Sequence, residues 1–220
     1  TVAPRPGRIS GPGSPAPTLI PDPSPRLTCM CGIVGYVGQR SASEVVLGGL
    51  ARLEYRGYDS AGIAIVVPGN SLVSHKKAGK LSVLRDELEA NPLAQGTTGI
   101  GHTRWATHGP PTDANAHPHL ADGGKLALIH NGIIENFDEL KSELQAQGEQ
   151  FHSDTDSEVA AVMLGRAFQD TQDLTLAMRA VVARLEGAFT LLGVHQDQPD
   201  VVVGARRNSP LVVGLGQGEN

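Results

Sequence analysis

A chain of 220 residues with 40% apolar side chains can bury one large core or two small ones. A net charge of −5 without any dense Lys/Arg run argues against a nucleic-acid partner, which needs a basic footprint, and no apolar run approaches the ~18 residues of a membrane span. The two cysteines, Cys29 and Cys31, lie too close for an ordinary stapling disulfide, which fits a reducing, cytosolic compartment.

Residues 1–30 hold eight of the 15 prolines and almost no periodic apolar pattern. Such a segment cannot bury enough surface to offset the entropy of ordering, and disorder is expected. It lacks the apolar stretch of a secretory signal. An early-assigned start site, a removable propeptide and a cloning remnant are its three candidate origins.

Globular patterning starts at Cys31. The run Met30-Cys31-Gly32-Ile33-Val34-Gly35 reads as a protein start inside a longer chain. With Met30 trimmed, Cys31 would carry a free α-amino group, so one residue would supply both a thiol nucleophile and a base with a pKa of about 8. The competing reading is a small buried hydrophobe opening a strand.

Ile33 to Val37 reads as a buried strand. Ser41 can cap a helix running through Leu53, with Glu44 at the capping-box position and Val45, Val46, Leu47, Leu50 and Leu53 in its apolar stripe. Ala61–Val67 and Ser71–Lys77 form a predicted hairpin across Pro68-Gly69-Asn70. A short helix is expected over Lys80–Glu89, then strands over Gly99–Trp105 and Lys125–His130 separated by a Pro/Gly/His-rich loop. Asn136–Gln147 is a predicted helix stopping at Gly148. Thr155 can cap another through Phe168 with Glu158 closing the box, and a third covers Thr175–Leu185. Ala188–His195, Asp200–Ala205 and Pro210–Gly214 complete the predicted strands. Strands come in groups with paired helices between them. This pattern predicts an α+β fold of sheets packed against helices in layers, not an alternating parallel sheet.

Four polar, glycine-rich clusters fall at strand ends or in loops, where rigid scaffolds place catalytic groups. They are Arg56–Gly62, His102–Gly109, His130–Gly132 and Ser153–Glu158. With Cys31 they make a coherent kit for hydrolysing the side-chain amide of a small amino acid. Thiolate attack on an amide creates an oxyanion that needs donors, and the Asn131 side chain with the Gly132 N–H can supply two. An α-carboxylate suits a bidentate guanidinium, for which Arg104 is the candidate, and an α-ammonium suits the Asp156 carboxylate. These are roles the chemistry needs, and spacing alone does not assign them.

From Cys31 onward the chain resembles the glutaminase domain of the glucosamine-6-phosphate synthase family, the isomerising glutamine–fructose-6-phosphate aminotransferases. Seven colinear segments carry the resemblance: Cys-Gly-Ile-Val-Gly-Tyr from 31, Arg-Leu-Glu-Tyr-Arg-Gly-Tyr-Asp-Ser-Ala-Gly-Ile from 52, Gly-His-Thr-Arg-Trp-Ala-Thr-His-Gly from 101, Asn-Ala-His-Pro-His from 115, His-Asn-Gly-Ile-Ile-Glu-Asn from 130, Ser-Asp-Thr-Asp-Ser-Glu-Val from 153 and Ser-Pro-Leu-Val-Val-Gly-Leu-Gly from 209. The resemblance implies a four-layer αββα sandwich of the N-terminal-nucleophile hydrolase type, over residues 31–220. It implies Cys31 as nucleophile with its own amine as base, Asn131 and Gly132 as the oxyanion hole, Arg104 on the glutamine carboxylate and Asp156 on its ammonium. Trp105, Thr107 and His108 fall in the family's glutamine loop, and His117 matches a functionally linked histidine to which no chemical role is given. The implied substrate is L-glutamine, with no cofactor and no metal. Fructose 6-phosphate would be met only by an isomerase domain outside this chain, which ends inside a late part of the glutaminase domain. The full-length family enzymes are implied to be homodimers.

Each of these residues also has a plainer reading. Arg104 could be a surface arginine, Asp156 a helix-terminal charge suited to the dipole, Asn131-Gly132 a turn and Trp105 a core residue. His102, His108, His117 and His119 invite a metal site, but His-Pro-His lacks the common zinc spacing and no Cys joins it. The rival functions are the glutaminase domain of another class-II amidotransferase, such as phosphoribosylpyrophosphate amidotransferase or asparagine synthetase, and a non-catalytic glutamine-binding domain. Retention of residues 1–30 would favour the latter, because the Cys31 amine would then be an amide.

Overall fold

The computed structural model describes residues 31–69 and 71–220; segment 1–30, with its expected disorder, and Asn70 of the expected turn lie outside the described residues. The elements are β1 (Gly32–Val37), α1 (Ala42–Leu53), β2 (Ser60–Val67), β3 (Ser71–Ala78), α2 (Leu81–Ala90), β4 (Thr98–Arg104), β5 (His119–Ala121), β6 (Leu126–Ile134), α3 (Phe137–Ala146), α4 (Asp156–Thr171), α5 (Leu174–Arg184), β7 (Gly187–His195) and β8 (Val203–Arg207). The strands form two antiparallel sheets, ordered β1-β4-β2-β3 and β5-β6-β7-β8.

Period-2 alternation explains the layers. In β2, Ile63 and Ile65 face the core shared with Val46 and Leu50 of α1 and Leu81 and Leu84 of α2. The intervening Ala64 and Val66 face a second core with Ala127, Ile129, Leu192 and Val194 of the other sheet. Strands β6 and β7 repeat the pattern: Leu126, Leu128, Phe189 and Leu191 turn instead toward α4 and α5. These central strands are covered on both faces, and so read as continuous apolar runs although the sheets are antiparallel. The result is four layers, helix–sheet–sheet–helix.

Several local expectations shift. Ser41 caps α1 by accepting from Glu44 N, and Thr155 caps α4 by accepting from Glu158 N. The expected box at α4 does not close, because the Glu158 carboxylate accepts instead from His152 N (2.9 Å), Ser153 N (2.7 Å) and Ser153 Oγ (2.6 Å). That carboxylate ties down the turn before the helix. Helix α5 starts one residue before the expected Thr175, capped by Asp173, which accepts from Leu176 N. Strand β8 starts three residues later than expected and ends two later, and the three-residue β5 falls inside the segment expected as loop. Pro210–Gly214 is not a strand: it joins neither sheet, and Val212 and Val213 are exposed.

Candidate active site

Strand β4 pairs with β1 so that Gly32 lies opposite Thr103, which brings Cys31 to the Arg104–Trp105 end of β4. The Thr103 hydroxyl accepts from Gly32 N at 3.1 Å and fixes this junction. The Cys31 Sγ accepts from Trp105 N at 3.1 Å, and faces Trp105 O at 3.6 Å. Cys31 is partly buried and is the free cysteine of the described residues. Burial pushes its thiol up from the ordinary value; the Trp105 N–H and the Arg104 charge pull it back only in part, and Asp59 adds to the rise. The group is therefore a thiol at neutral pH, and a base must take its proton for it to attack.

The second sheet supplies the facing wall. Asn131 Nδ2 lies 3.5 Å from the Cys31 carbonyl oxygen. Asn131 and Gly132 are not a turn: they sit inside β6, paired with Thr190 and Phe189, and the strand runs four residues past the expected end at His130. Gly132 has φ +132°, and a Cβ there would stand 2.1 Å from Ala188 O. Only glycine fits this backbone. Gly132→Ala is therefore expected to lower stability by at least about 2 kcal/mol, read from the urea midpoint; an unchanged midpoint would contradict this geometry.

Asp156 opens α4. Its Oδ2 accepts from Ile134 N at 2.9 Å, while Oδ1 lies 3.3 Å from Ser157 Oγ and 3.6 Å from His130 Nδ1. Burial alone would raise this carboxyl, but His130, Ile134 N and His108 outweigh it and hold the group below its usual range. Asp156 is therefore a buried anion that ties the end of β6 to α4, and Thr155 is the actual helix cap. Arg104 is 3% exposed, which overturns its reading as a surface arginine. Its guanidinium donates to the carbonyls of His108, Gly109 (3.3 Å) and Pro110 (3.4 Å). It thus staples the Trp105–Pro110 loop from below. Trp105, 43% exposed, is not a core residue.

Cys31, Arg104, Trp105, Thr107, His108, Gly132 and Asp156 line one cleft, with Asn131 at its edge. All eight predicted site residues therefore converge, from the start of β1, the end of β4 with its loop, β6 and the start of α4. His108 stands edge-on to Phe137, ring centroids 5.1 Å apart. His117 and His130 also line the cleft. His102, His117, His119 and His130 are all buried, with His117 4.3 Å from His102 and 4.8 Å from His119 between ring centroids. Among the described residues no group of three or more His, Cys, Asp or Glu is arranged to hold a metal ion.

Sequence reasoning flagged the Arg56–Gly62 cluster but gave it no role. In the structure Asp59 Oδ2 accepts from Ala106 N at 2.5 Å and so holds the start of the loop. Asn115 and Asp154 hold its far end; they come together across 39 residues, a distance no local pattern reveals.

A family model for a glutamine amidotransferase domain matches residues 102–218. The glutamine–fructose-6-phosphate aminotransferase (isomerising) of Leifsonia xyli subsp. xyli is 68% identical over 191 residues, covering 87% of this chain and 31% of that protein. The enzyme of the same name from Thermus thermophilus is 55% identical over 191 residues, with 87% and 31% covered. The chain thus spans about a third of the length of the curated relatives it matches. Among solved structures, glutamine phosphoribosylpyrophosphate amidotransferase from B. subtilis, complexed with ADP and GMP, superposes with a TM-score of 0.64 at 31% identity, over 76% of this chain and 35% of that one. The allosteric regulatory enzyme of purine biosynthesis superposes with a TM-score of 0.66 at 32% identity, over 76% and 36%. The two stacked sheets between helix layers are the N-terminal-nucleophile hydrolase fold of these class-II amidotransferases. Fold, cleft and family model agree, and the chain belongs to the glutamine amidotransferase domain family.

Proposed function

We propose that this chain is a glutaminase that releases ammonia from L-glutamine for an aminotransferase acting on fructose 6-phosphate. Cys31 attacks the side-chain amide carbon. Its thiol proton passes to its own α-amine once Met30 is removed, and from there to the departing nitrogen, which leaves as ammonia. The oxyanion is held by Asn131 Nδ2 and the Gly132 N–H. Water then cleaves the γ-glutamyl thioester, giving glutamate and restoring the thiol. Arg104 holds the α-carboxylate through N–H groups not turned to the loop, Asp156 holds the α-ammonium, and Trp105, Thr107 and His108 cover the substrate.

The observation that carries this reading is the meeting of the Cys31 thiol, the Asn131 amide, the Gly132 backbone, a buried guanidinium and a buried carboxylate at one cleft. The sugar substrate is inferred from the relatives' printed names at 55–68% identity, against 31–32% for the purine enzymes. Conversion of fructose 6-phosphate to glucosamine 6-phosphate is assigned to the part of those relatives outside the matched third. For the full-length enzyme a homodimer acting in the cytoplasm is proposed; among the described residues no helix is long and apolar enough to cross a membrane. The test is acid quenching during glutamine turnover, followed by mass analysis of the peptide containing Cys31. A γ-glutamyl adduct on that peptide supports the mechanism. Glutamate release with the adduct on no cysteine overturns it.

A further inference from the structure

The loop after β4 is fastened from two sides by different chemistry. Arg104 grips the carbonyls of His108, Gly109 and Pro110 from the first sheet. The second fastening crosses to the other half of the molecule through Asn115, which is 2% exposed. Its Nδ2 donates to Pro110 O at 3.0 Å and to Asp154 Oδ2 at 3.2 Å, while its Oδ1 accepts from Asp154 N at 2.9 Å. The base under Asn115 is itself pinned. Its own N–H donates to Thr112 Oγ1, Lys76 Nζ donates to Ala114 O and Ala116 O, and Asp113 Oδ1 accepts from Ala78 N. Asn115 is therefore a fixed post, joined at once to the loop and to the turn two residues before Asp156.

The fit at this post is close. Gly109 has φ +71°, and a Cβ there would stand 2.5 Å from Asn115 Nδ2 and 2.8 Å from Asp154 Cβ. An amide is the side chain that meets both needs of Asp154, because it accepts from the backbone N–H and donates to the carboxylate in one plane. A carboxylate at this position would face the Asp154 carboxylate, and an apolar side chain would take from Asp154 N–H the acceptor that Asn115 Oδ1 gives it, leaving Pro110 O to Arg104 and Thr112 N alone.

We propose that Asn115 is a positioning residue for glutamine, clamping the Trp105–Pro110 loop to the turn that carries Asp156. It rests on the glutaminase reading and goes beyond it, because Asn115 does not line the cleft and touches no reacting atom. Its action is to fix Thr107 and His108, on the loop, relative to Asp156, on α4, so that the two ends of the amino acid are met by groups at a set spacing. Cys31, Asn131 and Gly132 are held by β1, β4 and β6 and do not depend on this clamp.

Trp105 is the single tryptophan of the chain and stands on the loop, so its acrylamide quenching reports loop freedom directly. Asn115→Ala is expected to raise that quenching while the protein still unfolds in one cooperative transition, its melting temperature lowered by only a few degrees. It is expected to raise KM for glutamine about tenfold, on the scale of one or two lost hydrogen bonds, with kcat within about twofold of the parent. The exchange Asn115→Asp with Asp154→Asn turns the pair around, keeps the net charge, and is expected to bring KM and quenching most of the way back, while Asn115→Asp alone does not. Parental quenching and KM in Asn115→Ala overturn the clamp. A fall in kcat and melting temperature together, with no recovery in the exchange, assigns Asn115 a purely structural role and overturns it equally. A parent that releases no glutamate and whose Trp105 does not respond to glutamine sinks the glutaminase reading instead, and the quenching of Asn115→Ala still decides whether the clamp exists.

Discussion

Asn131→Ala is expected to cut glutamine turnover by about 10²–10³-fold, the usual loss when one oxyanion donor is removed. The side chain reaches across from the second sheet to within 3.5 Å of the Cys31 carbonyl. In the proposed mechanism it donates where negative charge develops once the thiol has added to the amide. The backbone of Asn131 is secured by pairing with Thr190 inside β6, so truncation should leave the strand and the thiol in place. The loss should therefore fall on kcat, with KM changed little. Asn131→Asp, which keeps the shape but turns a carboxylate toward the oxyanion, should be at least as damaging. The check is steady-state glutamate release with the urea midpoint measured alongside. Turnover within about threefold of the parent at equal stability would remove Asn131 from the oxyanion hole.

Acid should unfold this protein earlier than its carboxylates alone would require. His102 is fully buried, and burial, followed by the charges of His130 and Arg104, pushes it down to about 3. Burial likewise holds His117 and His119 well below the ordinary histidine value. Released into the unfolded chain, each regains a pKa near 6.5. Between that value and the depressed one the unfolded state binds more protons than the fold, so stability falls as pH falls through this window. Each of the three should cost about 2 kcal/mol by about pH 5, a large part of the ~5–15 kcal/mol that holds a domain together. Urea midpoints compared at pH 7.5 and pH 5 read the effect. His117→Phe fills the ring's place without a titrating nitrogen and should remove about one third of the slope. Equal midpoints at the two pH values would contradict a neutral buried cluster.

The pattern of the chain made some of this visible and hid the rest, for physical reasons. Strand β2 was legible because Ala61–Val67 is apolar at every position, the mark of a strand covered on both faces. Residue types marked the site. Cys31, Arg104, Asn131-Gly132 and Asp156 are the groups that amide hydrolysis of an amino acid demands, and seven colinear segments tied them to a family whose fold they share. Less legible was anything that depends on a partner far along the chain. Asn131-Gly132 looks like a turn locally, and only its pairing with β7 keeps it in a strand. Pro210–Gly214 has strand composition, yet it pairs with neither sheet and leaves Val212 and Val213 exposed. The capping box at α4 failed because the Glu158 carboxylate found three donors before the helix. The loop-holding role of Arg104 is not legible in the sequence, since the three carbonyls it holds are placed by the path of the loop, not by residue type.

The most direct test of the account is glutamate release from glutamine by the chain processed to begin at Cys31, by the same chain carrying Cys31→Ala, and by the chain retaining residues 1–30. The account predicts release by the first alone, because the thiol needs its proton taken by the free α-amine. Release by Cys31→Ala at the parental rate, or equal release by a chain whose residues 1–30 are confirmed intact by mass, would contradict it.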